Sequence, residues 1–292
     1  MKPWFIVGGG VVALLFVGLV LWAVSPDKTP PHPNSESSQP PPPRDLAGMI
    51  RIPAGEIRLG NGAAALREYL SNVAALAGDA QAIADLLANW ETSDSHDKVD
   101  EFWIDQYEVS NAQYARFIAA TGHRSPAYWN GPTPPEGMGE DPVTDVAYDD
   151  AEAFARWAGK QLPTEDQWVR AFRGDSWQFF PWGDEFDPTR ANVRENERFH
   201  SISRVGETPE DVSPFGVCNL AGNAAEIIRG RPFLQDQEMV RIKGGDWRSL
   251  GAVFSIGSSG RYVISNADGK SESEQFHDQQ IGFRCVYEAP DR

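Results

Sequence analysis

Hydrophobic positions recur with two different periods along the chain and predict its strands and helices. Residues 49–60 alternate apolar and other side chains on either side of a Pro-Ala-Gly break, and residues 99–105, with Phe102, Trp103 and Ile104 in succession, also look like a strand. A period of two is typical of strands. A Ser-Asn pair at 110–111 can cap a helix that carries Tyr114 and Phe117 on one face. We therefore predict a strand and turn, a second strand and a first helix.

Two further helices are predicted before the pattern becomes irregular. One runs from about residue 149 to 157 and stops at Gly159, and the next starts behind Thr164, an N-cap with Gln167 three residues later. Beyond residue 173, loops of such length need a metal or dense aromatic packing to order them. The chain has ten tryptophans. We expect these four to be core residues: Trp157, Trp168, Trp182 and Trp247.

Residues 63–90 form an apparent insertion rich in alanine and leucine. Apolar side chains recur there at spacings near three and four, which predicts a pair of helices broken around Gly78 and Asp79. The amphipathic face of such a pair must be covered. In one interpretation the face packs on its own domain, and in the other it docks a partner.

The amino terminus predicts a membrane anchor. Residues 3–24 carry no charge, and a helix of that length spans about 33 Å, enough for a bilayer core. A cleaved signal peptide is the alternative, although its apolar region is usually shorter. We predict a single-pass anchor at 1–24, a Pro/Ser-rich tether at 25–44, and one domain at 45–292 that lies in the periplasm or outside the cell, with the anchor in the inner membrane.

Charge and cysteine content narrow the function classes. The net charge of −16 repels nucleic acid at long range, so we predict no nucleic-acid partner. With only Cys218 and Cys285 present, a disulfide scaffold is excluded, although one bridge or two buried thiols both remain open.

Short motifs along most of residues 49–287 occur in an order that resembles the formylglycine-generating enzyme, or sulfatase-modifying factor, family. The resemblance implies an α+β fold that is irregular, loop-rich and related to C-type lectins. The matching blocks are 51–55, 102–105, 108–111 with Tyr114, 157–165 with Trp168, 181–183, 219–223, 244–247 and 281–285.

The resemblance also indicates a missing metal site. Enzymes of that family hold copper with two thiolates, and the matching positions here are Ser249 and Phe254. Cu(I) needs soft sulfur ligands, which a hydroxyl or a phenyl ring does not replace. We therefore predict no copper and no formylglycine-generating activity.

Calcium is the cofactor that the resemblance implies. Calcium prefers carboxylate, amide and carbonyl oxygens. The family pattern places them at Asn219, the carbonyls of Gly222 and Ala224, and the carboxylate of Glu226; the alternative is a metal-free turn with Glu226 in a salt bridge. A second family site would begin at Asn192 and Val193, where the downstream aspartate has no clear counterpart.

Three functions remain open at this stage. The first is a membrane-tethered, non-catalytic module that binds or regulates a protein of the cell envelope, such as a kinase or secretion machine, as some members of the resembled family without the cysteine pair do. The second is an enzyme of different chemistry, with a ligand cleft lined by Trp247, Arg248, Ser249 and Arg261, although a packed tryptophan with surface arginines explains those residues as well. The third is calcium-dependent binding of a glycan or peptide.

Overall fold

A computed structural model describes the folded part of the chain, residues 46–59, 95–176, 178–230, 233–234, 237–251, 261–264 and 281–289. The predicted anchor and tether, the insertion at 63–90 and Phe254 lie outside these residues. Within them, no helix has the length and apolar character needed to cross a bilayer.

Short strands, three helices and long loops make up the described residues, as expected for an irregular α+β fold. The helices are α1 (Asn111–Thr121), α2 (Tyr148–Trp157) and α3 (Glu165–Arg173), and one 3-10 turn covers Pro188–Arg190. The strands are β1 (Met49–Ile52), β2 (Gly55–Leu59), β3 (Ser95–Val99), β4 (Phe102–Asp105), β5 (Ala225–Ile227), β6 (Phe233–Leu234), β7 (Gln237–Lys243), β8 (Arg261–Ile264), β9 (Ile281–Gly282) and β10 (Val286–Tyr287).

The first four strands form one long antiparallel hairpin with a break halfway. Ile52 pairs with Phe102 in one half, and Gly55 pairs with Val99 in the other. Two residues lie between the two pairs on each side of the hairpin, so the register continues across the break. Pro53 lacks an N–H group, which explains why the ladder is interrupted there. The single strand predicted over 99–105 is therefore wrong, because the break divides it between β3 and β4.

The predicted insertion is located at the tip of this hairpin. Leu59 is paired with Ser95 on the last rung, and neighbouring strands lie about 5 Å apart. The described chain thus stops at Leu59 and resumes at Ser95, at adjacent positions on the hairpin. The hairpin can therefore accommodate a segment of any length at its tip without a change of register.

Local capping explains where two of the helices begin. Ser110 caps α1 and Thr164 caps α3. In each case the glutamine three residues later accepts a hydrogen bond from the backbone N–H of the cap residue, which completes a capping box. Both predicted caps are confirmed. The helix predicted from residue 149 is α2, which begins one residue earlier, at Tyr148.

Two sheets meet around the segment between β9 and β10. One sheet has the strand order β1-β4-β10, in which β10 pairs with β4. The other has the order β6-β7-β5-β9, in which β9 runs parallel to β5 and β8 pairs with β7. The three residues 283–285 therefore connect the sheets. Phe283 packs in the aromatic core with Phe154, at a centroid distance of 5.3 Å, which leaves Arg284 between the sheets.

The predicted tryptophan core is confirmed only at one position. Trp168 is fully buried, at 0% exposure, and stacks on Phe172 with 5.0 Å between the ring centroids. Trp157 and Trp182 are half-buried and pack against core clusters, and Trp247 is half-buried as well. These three indoles therefore keep part of their surface in water, which the sequence pattern does not reveal.

Candidate functional site

The turn at 219–223 places polar groups at the centre of the domain. Asn219 and Asn223 have φ angles of 56° and 58°, in the left-handed region that asparagine tolerates better than most residues. Between them, Gly222 has a φ of 98°, and a Cβ atom there would lie 2.3 Å from the carbonyl oxygen of Asn192. Only glycine allows this close approach of two backbones.

Glu226 follows this turn on β5 and forms a buried ion pair. Its carboxylate accepts hydrogen bonds from the Arg284 guanidinium at 2.6–2.9 Å and from Trp168 Nε1 at 2.8 Å. Arg284 is 0% exposed and Glu226 is 1% exposed. The alternative in which Glu226 is salt-bridged is therefore what the structure shows.

Arg284 also binds the backbone of two separate segments. Its Nη1 donates to the carbonyl oxygens of Asp105 and Gln106, and its Nη2 donates to those of Cys218 and Asn219. A guanidinium supplies five N–H donors in a fixed plane, so one side chain satisfies all of these acceptors. Arg284 is thus the polar centre of the fold.

Two further carboxyl groups lie buried near this ion pair. Glu108 Oε1 accepts from Asn223 Nδ2 at 2.9 Å, and Asp211 Oδ2 accepts from the backbone N of Ala221 at 3.0 Å. The other oxygen of each group, Glu108 Oε2 and Asp211 Oδ1, has no hydrogen-bond partner within the described ranges. Both carboxyl groups are at most 2% exposed.

Burial favours the protonated form of these two acids. It raises the pKa of Glu108 to about 7 against the downward pull of Arg284, and it raises the pKa of Asp211 well above its usual value. Sequence analysis missed both groups as site residues. Glu108 lies in a recognised motif block, but nothing local to it indicates burial beside a second carboxylate.

Asn223 connects this centre to two surface loops. Its side-chain Oδ1 accepts from Asn192 Nδ2 at 2.9 Å, while its backbone N donates to the Asn192 carbonyl and its own carbonyl accepts from Trp247 N. The loop that contains Asn192 and the loop that contains Trp247 are therefore held by one residue. Asn223 also donates to Glu108. The buried acid is therefore linked to both loops through this one asparagine.

The structure brings three of the four predicted cleft residues into one turn. Ser249 Oγ donates to Asp246 Oδ1 at 2.8 Å and Ser249 N donates to the Asp246 carbonyl; Ser249 is 7% exposed. Arg248 is exposed, and its guanidinium lies over the Trp247 ring, 4.9 Å from the centroid. This agrees with the simpler interpretation, a packed tryptophan with a surface arginine.

The fourth predicted cleft residue, Arg261, belongs to β8, opposite Ile242 on β7. Its side chain lies outside what the structure describes. The Ser249 hydroxyl closes the turn by its hydrogen bond to Asp246. Its acceptor is a carboxylate rather than the imidazole that commonly activates a nucleophilic hydroxyl.

The two cysteines are free thiols. Both Cys218 and Cys285 are buried, so of the two possibilities left open by the sequence the structure has the buried thiols. Burial raises the pKa of Cys218 and raises that of Cys285 well above its usual value. The thiolate, the form that binds Cu(I), is disfavoured at both positions.

Calcium requires oxygens that are not already bound. Glu226 is saturated by Arg284 and Trp168, and Asn219 Oδ1 accepts from Gly206 N at 3.1 Å, so the first predicted ligand set does not fit calcium in this arrangement. The carbonyl oxygens of Gly222 and Ala224 would then be the only family ligands left.

The second predicted set offers one suitable oxygen. Asn192 Oδ1 is buried without a hydrogen-bond partner in the described part of the chain, but the Val193 carbonyl accepts from Asn196 N at 2.9 Å. Among the residues that the structure describes, no group of three or more His, Cys, Asp or Glu side chains is placed to hold a metal ion. Calcium at this second position stays a prediction.

Comparison with known proteins places these features in context. A family model described as "Sulfatase-modifying factor enzyme 1-like domain" matches residues 35–289. The protein YfmG of Bacillus subtilis is 31% identical over 256 residues, which cover 69% of this chain and 48% of that protein. An inactive C-alpha-formylglycine-generating enzyme 2 of Bos taurus is 30% identical over 175 residues, which cover 55% of this chain and 56% of that protein. The chain thus spans about half the length of these relatives.

Among solved structures, PvdO from Pseudomonas aeruginosa has a similar fold. The TM-score is 0.58 at 21% sequence identity, and the match covers 82% of this chain and 94% of that chain. At this identity the likeness concerns the fold alone. It agrees with the α+β architecture that the motif blocks imply.

Proposed function

Because the chain belongs to the sulfatase-modifying factor family, whose model matches residues 35–289, we propose that it is a non-catalytic member that acts by binding and regulating another protein. The observation that carries this proposal is the environment of Ser249. A family enzyme would hold copper there with a thiolate, whereas this hydroxyl is buried and donates to Asp246 at 2.8 Å.

The chemistry of the remaining donors supports the same proposal. Cu(I) binds soft sulfur ligands, and the two sulfurs of this chain lie elsewhere, in buried positions that favour the neutral thiol. Cys285 also anchors backbone, since its N donates to Asp105 Oδ2 at 2.9 Å. Neither cysteine can leave its place to serve as a copper ligand without disruption of the core.

A family member named as inactive gives this proposal a precedent. The bovine relative is named an inactive formylglycine-generating enzyme, so loss of the enzyme activity is compatible with retention of the domain. For the present chain, we propose that the partner is a protein of the cell envelope. The proposed topology is a single anchor in the inner membrane, a tether, and a domain outside the cytoplasm. Calcium is proposed as a structural ion at the second predicted position, where Asn192 Oδ1 has no hydrogen-bond partner among the described residues.

The first prediction concerns copper chemistry. We expect the purified protein, supplied with copper, a thiol reductant and oxygen, to leave a cysteine-containing sulfatase-type peptide unmodified, because no thiolate pair is available. Mass spectrometry of the peptide checks this, with a copper-only reaction as the blank. The Ser249→Cys, Phe254→Cys variant is the matched control, and we expect it to compete for Cu(I) against a chromophoric chelator better than the wild type does.

Conversion of the peptide by the wild-type protein would contradict the proposal. Copper binding by the wild type equal to that of the double-cysteine variant would show that other ligands replace the expected pair.

The second prediction concerns the insertion as the docking element. Leu59 and Ser95, the residues on either side of this segment, are paired on the last rung of the hairpin. Replacement of 63–89 by a short Gly-Ser link should therefore leave the domain folded. We expect affinity capture from detergent-solubilised native membranes to recover a specific protein with the wild type and to lose it with the shortened variant. Unchanged near-UV circular dichroism of the variant is the control for folding.

Retention of the same partner by the shortened variant would assign docking to another surface. If the wild type recovers no protein partner, the proposed function is wrong, and a small-molecule ligand becomes the better explanation.

A further inference from the structure

Five of the six asparagines in the described residues are buried. Each of the five is at most 8% exposed, and each side chain takes part in at least one hydrogen bond. These residues are Asn111, Asn192, Asn196, Asn219 and Asn223. Their side-chain amides are therefore held in position and shielded from bulk water.

Asn130 differs from the other five in both respects. It is exposed to solvent, and its side chain makes no hydrogen bond within the described ranges. The N–H group of the next residue, Gly131, likewise donates to no acceptor there. Neither the side-chain amide of Asn130 nor the backbone nitrogen that follows it is thus engaged by another part of the described chain.

The packing of the neighbouring residues explains why Asn130 is exposed. Trp129 is 4% exposed and packs edge-on against Tyr114 in the aromatic core, with 6.2 Å between the ring centroids. Gly131 has a φ of 141°, and a Cβ atom there would meet no atom within 4 Å. The chain therefore leaves the core directly after Trp129, and the peptide that joins Asn130 to Gly131 lies at the surface.

An asparagine before a glycine contains both partners of an intramolecular reaction. The backbone nitrogen of Gly131 forms a bond to Cγ of Asn130, the bond from Cγ to the side-chain nitrogen breaks, and ammonia leaves with the proton of the Gly131 N–H. Water then opens the resulting cyclic imide at either carbonyl, which gives aspartate or isoaspartate without any oxidant or reductant. Glycine allows the approach because it has no side chain and a wide range of backbone angles, and reacting groups in one chain need no bimolecular encounter.

We infer that Asn130 is a deamidation site of the folded protein, at which the side-chain amide is converted to a carboxylate with water as the co-reactant. This modification is independent of the proposed protein-binding function. It adds a negative charge to a chain whose net charge is already −16, and the isoaspartate form lengthens the main chain between Trp129 and Gly131. Because exposed positions tolerate substitution, the modified domain should stay folded.

Peptide mapping of aged protein tests this site. The full-length protein in detergent is incubated at physiological temperature and mildly alkaline pH, which favours the deprotonated backbone nitrogen, and samples are digested at intervals for mass spectrometry. We expect the acid form to accumulate at Asn130 at no less than about a tenth of its rate in the free peptide Tyr-Trp-Asn-Gly-Pro, because no local unfolding has to open the site first. The five buried asparagines should keep their amides over the same period.

The Asn130→Gln variant is the matched control. Glutamine keeps the amide but would have to close a larger ring, so we expect no acid form at this position and thermal unfolding like that of the wild type. The other Asn-Gly pair of the chain, at 61–62, lies outside the described residues and is followed on its own peptide. An isoaspartyl methyltransferase with a labelled methyl donor gives a second readout, and we expect it to label the aged variant less than the aged wild type.

Retention of the Asn130 amide while the free peptide is converted would overturn the inference, since the fold would then protect the site. Conversion of a buried asparagine as fast as Asn130 would overturn it as well, because exposure would then not select the residue. Capture of a membrane partner tests the proposed function separately, so either proposal can fail without the other.

Discussion

Replacement of Arg284 by methionine is expected to lower the free energy of unfolding by about 3–5 kcal/mol. Methionine fills a similar volume but leaves the Glu226 carboxylate, which is 1% exposed, without its counter-ion. The substitution also leaves the carbonyl groups of Cys218 and Asn219 without the donor that binds them at 2.9 and 3.1 Å. Urea unfolding followed by tryptophan fluorescence measures the loss.

The double variant Arg284→Met, Glu226→Gln separates the charge from the hydrogen bonds. Removal of the carboxylate charge should recover part of the stability, because the largest cost of the single substitution is an unpaired buried charge. The lost carbonyl partners should keep the double variant below the wild type. A single variant within about 1 kcal/mol of the wild type would show that the ion pair contributes little.

Stability is expected to fall as the pH rises from about 4.5 to about 7, with Glu108 as a principal cause. The pKa of Glu108 is raised from 4.5 to about 7 in the folded protein by burial. Between these values the folded state holds a proton that the unfolded state has released, so the stabilisation is complete below the lower value and is lost as the pH passes the upper one. The difference corresponds to about 3 kcal/mol.

The Glu108→Gln variant isolates this contribution. Glutamine cannot ionise and can still accept the hydrogen bond from Asn223. The free energy of unfolding of the variant should therefore change less between pH 4.5 and pH 8 than that of the wild type, when both are measured by urea unfolding. Asp211, whose pKa is also raised, contributes in the same direction in both proteins. Part of that rise comes from the charge of Glu108, so the variant should lose part of the Asp211 contribution as well. Identical pH profiles would show that the pKa of Glu108 is the same in the folded and the unfolded protein.

Features determined by neighbouring residues could be predicted from the sequence. The caps at Ser110 and Thr164 depend on a side chain three residues away, and both capping boxes are present as expected. The motif blocks also identified the family correctly and implied its irregular α+β fold, whereas periodicity alone predicted only individual strands and helices.

The polar centre could not be predicted, because its partners are far apart in the chain. Glu226 and Arg284 are separated by 58 residues, and Glu108 and Asn223 are separated by 115. No periodicity relates such positions, so the sequence predicted calcium at Glu226 and left a salt bridge as the alternative. Only the fold shows that Arg284 occupies the space beside that carboxylate.

The hairpin of β1 to β4 has a consequence for proteolysis. A protease that cut the chain anywhere between residues 60 and 94 would produce two fragments, and the smaller one would contain the predicted membrane anchor together with β1 and β2. Every rung of the ladder would still join those strands to β3 and β4, and Ile52 and Ile57 would still lie in the core beside Trp168. A nicked molecule would therefore remain assembled as one folded domain, and the two fragments would separate only when the domain unfolds.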